Sequence, residues 1–275
     1  MSKPQSTLIA IGGGEIADSG EILDELLEFV KKGSDPRLVV MTVATGDPER
    51  AANKYNALFR KRGVKHVDTV DISQREDSYS ASSIKKINNA DALFFTGGDQ
   101  LNITTLLGGS ELDQAIRERV KEGIVLAGTS AGAAMMSKWM IISGSSDEAP
   151  RVGHVSIAPG MDLFDSMIID THFSQRGRHG RLLNAVAHFP QALGVGIDET
   201  TAIVMRNGDF RVIGDGVVTI INGNNIRLND LPYKKEGEAI GISGAVIDVL
   251  PAGYKYHLKH RETFGPALTT LAHQG

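Results

Sequence analysis

The chain has 275 residues, 41% of them hydrophobic, enough to build a sizeable core in one large domain. Lys and Arg total 29 against 33 Asp and Glu, a formal charge of −4 at pH 7, which argues against a nucleic-acid partner. The lack of any cysteine excludes disulfides, cysteine metal sites and thiol nucleophiles, so covalent chemistry must use Ser, Thr, Lys or a carboxylate.

Met1 to Thr7 is short and polar, and the apolar run Leu8 to Ile11 after it is too short for a signal peptide. No stretch approaches the roughly 18 apolar residues of a membrane span, so a cytoplasmic protein with no membrane partner is expected. Thr7–Ile11 reads as a buried strand closing on the turn Gly12-Gly13-Gly14. Ile22, Leu23, Leu26, Leu27 and Val30 then repeat at helical spacing, and Gly33 ends that helix. Arg37–Val43 is a second apolar, β-branched run, followed by a helix at about Pro48–Lys61 and a strand near Val67–Val70. A helix near Ser82–Asn88 precedes the strand Ala92–Phe95, which enters Thr96-Gly97-Gly98. Leu112–Glu122 is helical, Ile124–Ala127 is a strand entering Gly128, and further strands lie at Met167–Asp170 and Gly194–Ile197.

Strands that are apolar along their whole length and alternate with helices predict an α/β fold with a parallel sheet covered on both faces. After Thr200 the pattern changes. Thr201–Met205, Phe210–Ile213, Val217–Ile221 and Ala245–Leu250 are short runs separated by Asn-Gly, Gly-Asp and Gly-Asn-Asn turns, which predicts antiparallel hairpins. Asn222–Glu238 is polar and reads as a surface loop. The expectation is one domain over 1–275, β-rich from about residue 201.

Gly128-Thr129-Ser130-Ala131-Gly132 matches G-x-S-x-G between a strand and a helical stretch, Ala133–Ser137. A sharp strand-to-helix turn exposes the Ser hydroxyl and crowds the backbone, hence the small neighbours. The Ala131 N–H then lies at a helix start, placed to stabilise an oxyanion. A serine nucleophile needs a base, and His172 stands just past the predicted strand Met167–Asp170, at the sheet edge where α/β sites form. His154, His179 and His188 read as ordinary loop or helix histidines. An acid must orient the imidazole; Asp198, Glu199 and Asp170 all qualify by position. The chain order Ser, His, acid differs from that of α/β-hydrolases. The turn Gly12-Gly13-Gly14 has neither phosphate-loop nor dinucleotide spacing and reads as a structural turn whose amides border the site. No His-x-x-x-His or His-Glu-x-x-His spacing offers a zinc site, so neither metal nor cofactor is expected.

Four segments carry a resemblance: Phe94 through Gln100, Gly128 through Ala133, Asp170 through Arg181, and Gly196 through Ala202. Together and in this order they resemble the cyanophycinases (peptidase family S51), within the clan of peptidase E and the class I glutamine-amidotransferase-like fold. The resemblance implies Ser130 as nucleophile, His172 as general base and Glu199 as its acid, with Gly98 and Ala131 supplying oxyanion-hole N–H groups. It further implies a pocket shaped by Gln100, Asp170, Thr171, Gln175, Arg176, Arg178 and Arg181, with arginines holding substrate carboxylates and Asp170 meeting a guanidinium. The implied substrate is cyanophycin, a polyaspartate chain with arginine on each side-chain carboxyl. The implied product is the β-aspartyl-arginine dipeptide released from a chain end, and the implied assembly is a homodimer. Many members have Gln where this chain has Thr171, just before the histidine. Two rival readings are a peptidase E-like aspartyl dipeptidase and an inactive polymer-binding homologue; intact Ser130, His172 and Glu199 argue against the second.

Overall fold

The computed structural model describes residues 6–14, 20–30, 35–146, 148–164 and 166–266; the helix stop expected at Gly33 lies outside them. The first half alternates β1 (Thr7–Ile11), α1 (Gly20–Val30), β2 (Arg37–Met41), α2 (Pro48–Lys61), β3 (His66–Val70), α3 (Ala81–Asn88) and β4 (Ala92–Phe95). Then come α4 (Gln100–Leu107), α5 (Glu111–Lys121), β5 (Val125–Thr129), α6 (Ala131–Ala134), β6 (Trp139–Gly144), β7 (Val155–Pro159), β8 (Met167–Thr171), α7 (His179–His188) and β9 (Leu193–Ile197). The remainder is β10 (Thr201–Arg206), β11 (Asp209–Gly214), β12 (Val217–Asn222), β13 (Leu228–Asn229), β14 (Ile242–Ser243), β15 (Val246–Pro251), β16 (Lys255–His257) and β17 (Glu262–Phe264).

Helix starts follow local chemistry. Asp47 accepts from the Arg50 N–H with Pro48 in the first turn, Asp99 accepts from Leu101 N–H, and Ser110 accepts from Asp113 N–H. Each cap satisfies an amide that has no partner inside its helix.

Two sheets form the scaffold. Nine strands run in the order β17-β16-β11-β10-β1-β5-β4-β2-β3, and four more in the order β15-β12-β9-β8. The strands β1, β5, β4, β2 and β3 are mutually parallel. Side chains alternate across this sheet: Leu8, Ala10, Val39, Met41 and Leu126 enter one core, Ile9, Ile11, Leu38, Val40 and Ala127 the other. Helices α1 and α2 cover the second core with Leu23, Leu26, Leu27 and Phe59. The first core is closed by Ile103, Leu107, Leu112 and Ile116 from α4 and α5, and by Met167, Ile169, Val195 and Ile220 from the second sheet. Behind that sheet, α7 packs Leu182, Ala185 and Val186 against Ile168 and Ile221. Burial of this kind contributes roughly 1.5–3 kcal/mol per large apolar side chain before ordering costs.

The structure departs from expectation in four places. The β-rich end serves both sheets: β10 and β11 extend the first beside β1, while β12 and β15 complete the second. The strands β8 and β9 are parallel to each other, but in the second sheet. The helix expected at Ala133–Ser137 is one turn, Ala131–Ala134, followed by the unexpected hairpin β6–β7. The segment read as a loop at Asn222–Glu238 holds β13, paired with β14. The Asn-Gly signal does mark a primed turn, with φ of 57° at Asn207 and 81° at Gly208. Among the described residues no helix is long and apolar enough to cross a membrane.

A close backbone approach brackets the Ser130 turn. A Cβ on Gly132 would lie 2.4 Å from the Phe95 carbonyl oxygen, which belongs to the neighbouring strand β4. Gly132→Ala should therefore destabilise the protein by about 1–3 kcal/mol. A lowered urea midpoint with unchanged m-value reads this; an unchanged midpoint contradicts it.

Candidate active site

Ser130 joins β5 to α6 with φ 53° and ψ −112°, a conformation that costs a non-glycine residue about 1–3 kcal/mol. Its N–H donates to the Ile11 carbonyl at 3.0 Å. The turn closes because its neighbours are small: a Cβ on Gly128 would lie 2.1 Å from the Gly132 carbonyl oxygen. Gly97 lies beside the Ser130 hydroxyl, since a Cβ there would sit 3.9 Å from its Oγ. At Gly98, with φ of 144°, a Cβ would strike the Ala44 carbonyl oxygen at 2.0 Å. Among the described residues neither the Gly98 nor the Ala131 N–H is engaged by another group, so both are free to bind an oxyanion.

His172 follows β8 with φ of 49°, and its N–H donates to the Gly12 carbonyl at 2.7 Å. Its Nε2 lies 2.9 Å from Ser130 Oγ and its Nδ1 2.6 Å from Glu199 Oε1. A carboxylate only accepts, so Nδ1 carries the proton and Nε2 is the acceptor for the Ser130 hydroxyl. The imidazole lies directly over Gly13, where a Cβ would come within 2.2 Å of Cε1. The three candidate acids are thereby separated. Asp198 is buried and accepts the N–H groups of Ser174 and Val217 at 2.9 and 3.3 Å. Asp170 is committed to arginines, and Glu199 alone reaches the imidazole. The Glu199 carbonyl accepts the hydroxyls of Thr200 and Thr201, at 2.8 and 3.0 Å. The Thr200 N–H donates to the Gly13 carbonyl at 3.1 Å.

Two expectations for the pocket need correction. Asp170 does not wait for a substrate guanidinium. It is 2% exposed and receives Arg181 through Nε at 2.7 Å and Nη2 at 2.5 Å, with Arg178 Nη1 at 3.2 Å. A buried carboxylate without cationic partners would cost several kcal/mol, so the sequence supplies its own. Arg178 also donates to the Thr171 carbonyl at 2.6 Å. Arg178 and Arg181 thus line the cavity while spending charge on Asp170. Gln175 is not a cavity-lining residue either: its Oε1 accepts the Glu199 N–H at 3.1 Å. Gln100 lines the cavity and donates Nε2 to the Ile141 carbonyl at 2.7 Å.

The cavity measures about 260 Å³ and brings together Ser130, Gly98, Gln100, Asp170, Thr171, His172, Arg176, Arg178 and Arg181, with Asp99 also at its wall. Burial lowers the His172 pKa from 6.5. The Glu199 hydrogen bond opposes it, and Arg176 and Arg178 add to the lowering. Burial also draws Arg178 down to about 10 against the pull of Asp170, which leaves it charged at neutral pH. The sequence places the Gly12-Gly13-Gly14 turn at the border of the site through its amides, but it is the carbonyls of Gly12 and Gly13 that accept from His172 and Thr200, with the imidazole lying over Gly13. The available signal was three consecutive glycines at the end of a buried strand, where another backbone or ring must come close.

A sequence model of peptidase family S51 matches residues 8–213. The cyanophycinase of Trichormus variabilis is 35% identical over 279 residues, covering 99% of this chain and 93% of that protein. The cyanophycinase of Geminocystis herdmanii is 32% identical over 257 residues, covering 93% and 94%. Among solved structures, a peptidase from an acI-B1 Actinobacterium superposes with a TM-score of 0.67 at 21% identity, over 95% of this chain and 97% of that one, a likeness of fold.

The electrostatics fix the direction of two substitutions. In an NMR titration the His172 imidazole should protonate below pH 6.5. Arg176→Gln removes a nearby cation and should raise that pKa; Glu199→Gln removes the acceptor and should lower it. An imidazole titrating above 6.5 would contradict burial as the dominant cause.

Proposed function

The chain belongs to peptidase family S51, a family of serine-type peptidases, and on that premise we propose that it hydrolyses cyanophycin to β-aspartyl-arginine dipeptides. The observation that carries this reading is the cavity at Ser130. Besides the self-paired Asp170, Arg178 and Arg181, it places an anion and a cation with no ion-pair partner among the described residues, Asp99 and Arg176, beside a hydroxyl hydrogen-bonded to an imidazole. A substrate with a carboxylate and a guanidinium on every unit matches such a wall; an ordinary peptide does not. Of the cavity arginines, Arg176 is exposed and has no ion-pair partner among the described residues, so it is the natural receptor for a substrate carboxylate.

In the acylation step Ser130 Oγ attacks the carbonyl carbon of a backbone peptide bond while its proton passes to His172 Nε2. Glu199 stabilises the resulting imidazolium through Nδ1–H. The N–H groups of Gly98 and Ala131 bind the oxyanion, a contribution typically of about 3–4 kcal/mol per donor. His172 then protonates the departing amine as the C–N bond breaks, leaving an ester on Ser130. Water, deprotonated by His172, hydrolyses that ester and restores the serine. Because burial keeps the imidazole neutral down to below pH 6.5, the base is in its working form at neutral pH. The activity rises with pH through that lowered pKa and is lost below it. The reading also carries a cytoplasmic location and a homodimer. Light scattering should then give twice the chain mass of 29.5 kDa, and a monomer at micromolar concentration would refute the dimer.

The direct test is mass spectrometry of the products after incubation with purified cyanophycin, with casein alongside. The dipeptide should accumulate from the first, and equal cleavage of both would sink the specificity. Ser130→Ala should retain the fold and lose on the order of 10⁴–10⁶ in rate. Glu199→Gln should be far more damaging to turnover than Asp198→Asn. The reverse ranking would move the acid's role to Asp198.

A further inference from the structure

The charges around the cavity do not all remain available to a ligand. Asp170 gives both carboxylate oxygens to Arg181, and one also to Arg178. Arg178 in turn gives Nη1 to the Thr171 carbonyl. Asp99 differs. It is exposed at the cavity wall, and among the described residues no cation meets either of its oxygens. One of them, Oδ1, accepts the Leu101 N–H at 2.8 Å as the cap of α4. Asp99 is thus the uncommitted anion of this cavity, as Arg176 is its uncommitted cation.

The next residue adds an acceptor. Gln100 donates Nε2 to the Ile141 carbonyl at 2.7 Å. A carbonyl can only accept, so the orientation of this amide is fixed and its Oε1 is left as an acceptor at the wall that Gln100 lines. A carboxylate and an amide oxygen on consecutive residues suit a planar group with several N–H donors better than an ammonium point charge. The supporting backbone is rigid. Asp99 N–H donates to the Ala44 carbonyl at 2.8 Å, and Gly98 packs so closely on Ala44 that a Cβ would lie 2.0 Å from its oxygen. The residue before Asp99 offers its N–H to the oxyanion, so a group held at Asp99 is placed in a fixed relation to the bond that Ser130 attacks.

We infer that Asp99, with Oε1 of Gln100 beside it, is the subsite for the substrate's guanidinium. This rests on the cyanophycin reading above. The subsite explains how a cavity that has neutralised Asp170 internally still distinguishes an arginine-bearing unit from a neutral one. It also gives Asp99 two functions on separate oxygens, one capping a helix and one facing the ligand.

The two functions separate by substitution. Asn caps a helix as well as Asp, so Asp99→Asn removes the charge and keeps the start of α4; Asp99→Ser, a second residue able to cap, guards against a folding defect in the first. The assay compares two oligomers with the same polyaspartate backbone, one bearing arginine and one bearing citrulline, its neutral ureido analogue. The wild type should prefer the arginine form in kcat/KM by roughly 10- to 100-fold, and in both variants the ratio should collapse toward unity. Variants that keep the wild-type ratio, even with both rates reduced, would overturn the subsite and leave Asp99 a support for its loop. A wild type that cleaves cyanophycin without preferring arginine over citrulline would overturn the subsite alone. A wild type that cleaves neither oligomer nor cyanophycin would overturn the substrate assignment itself.

Discussion

Three consecutive carbonyls at the end of β1 hold the site together. Ile11, Gly12 and Gly13 accept the N–H groups of Ser130, His172 and Thr200 at 3.0, 2.7 and 3.1 Å. Each of those donors sits at positive φ, between 49° and 53°. Three such residues store on the order of a few kcal/mol of backbone strain, at about 1–3 kcal/mol each. The strain persists because β1 is central and buried, paired with β5 on one side and β10 on the other, so its end cannot yield. Ser130, His172 and Thr200, the residue after Glu199, are far apart in sequence and thereby share one backbone reference.

Charge follows the same economy of position. Asp170 is locked to Arg181 and Arg178 two residues before the histidine, and the Arg178 bond to the Thr171 carbonyl fixes the peptide between them. Of the two arginines that balance this buried acid, Arg178 also sits near the imidazole and, with Arg176, helps keep it neutral. The opposing Glu199 bond favours the imidazolium, but burial prevails in the resting state. The Glu199 carboxylate is already in contact with Nδ1–H, so protonation of the imidazole at Nε2 would need little reorganisation there.

Much of this was legible in the sequence, and the gaps have physical causes. The strands β1, β2, β4 and β5 announce themselves as apolar runs because both faces are buried. The G-x-S-x-G turn could be placed from its context alone. The helix α4 stayed hidden because Ile103, Thr104 and Thr105 are β-branched and its start is marked only by Asp99. The hairpin β6–β7 stayed hidden because its strands lie ten residues apart with no primed-turn signal between them. The choice among Asp170, Asp198 and Glu199 is a matter of angles that spacing does not encode. The misreading of Asp170 and its arginines came from treating charges near a site as charges for a ligand, when a carboxylate at 2% exposure must first be neutralised from within.

Ser130 ends a strand of the nine-stranded sheet, whereas His172 and Glu199 follow β8 and β9 of the four-stranded one. The hydroxyl and the imidazole therefore belong to two separately hydrogen-bonded sheets that share a core and are joined at the site by the Ser130–His172 contact and by the carbonyls of a single strand end. A slip of one body against the other by a fraction of an ångström would uncouple them while every helix and strand stayed intact. Turnover in such an architecture is a gauge of how two sheets are seated, finer than any spectroscopic measure of their content.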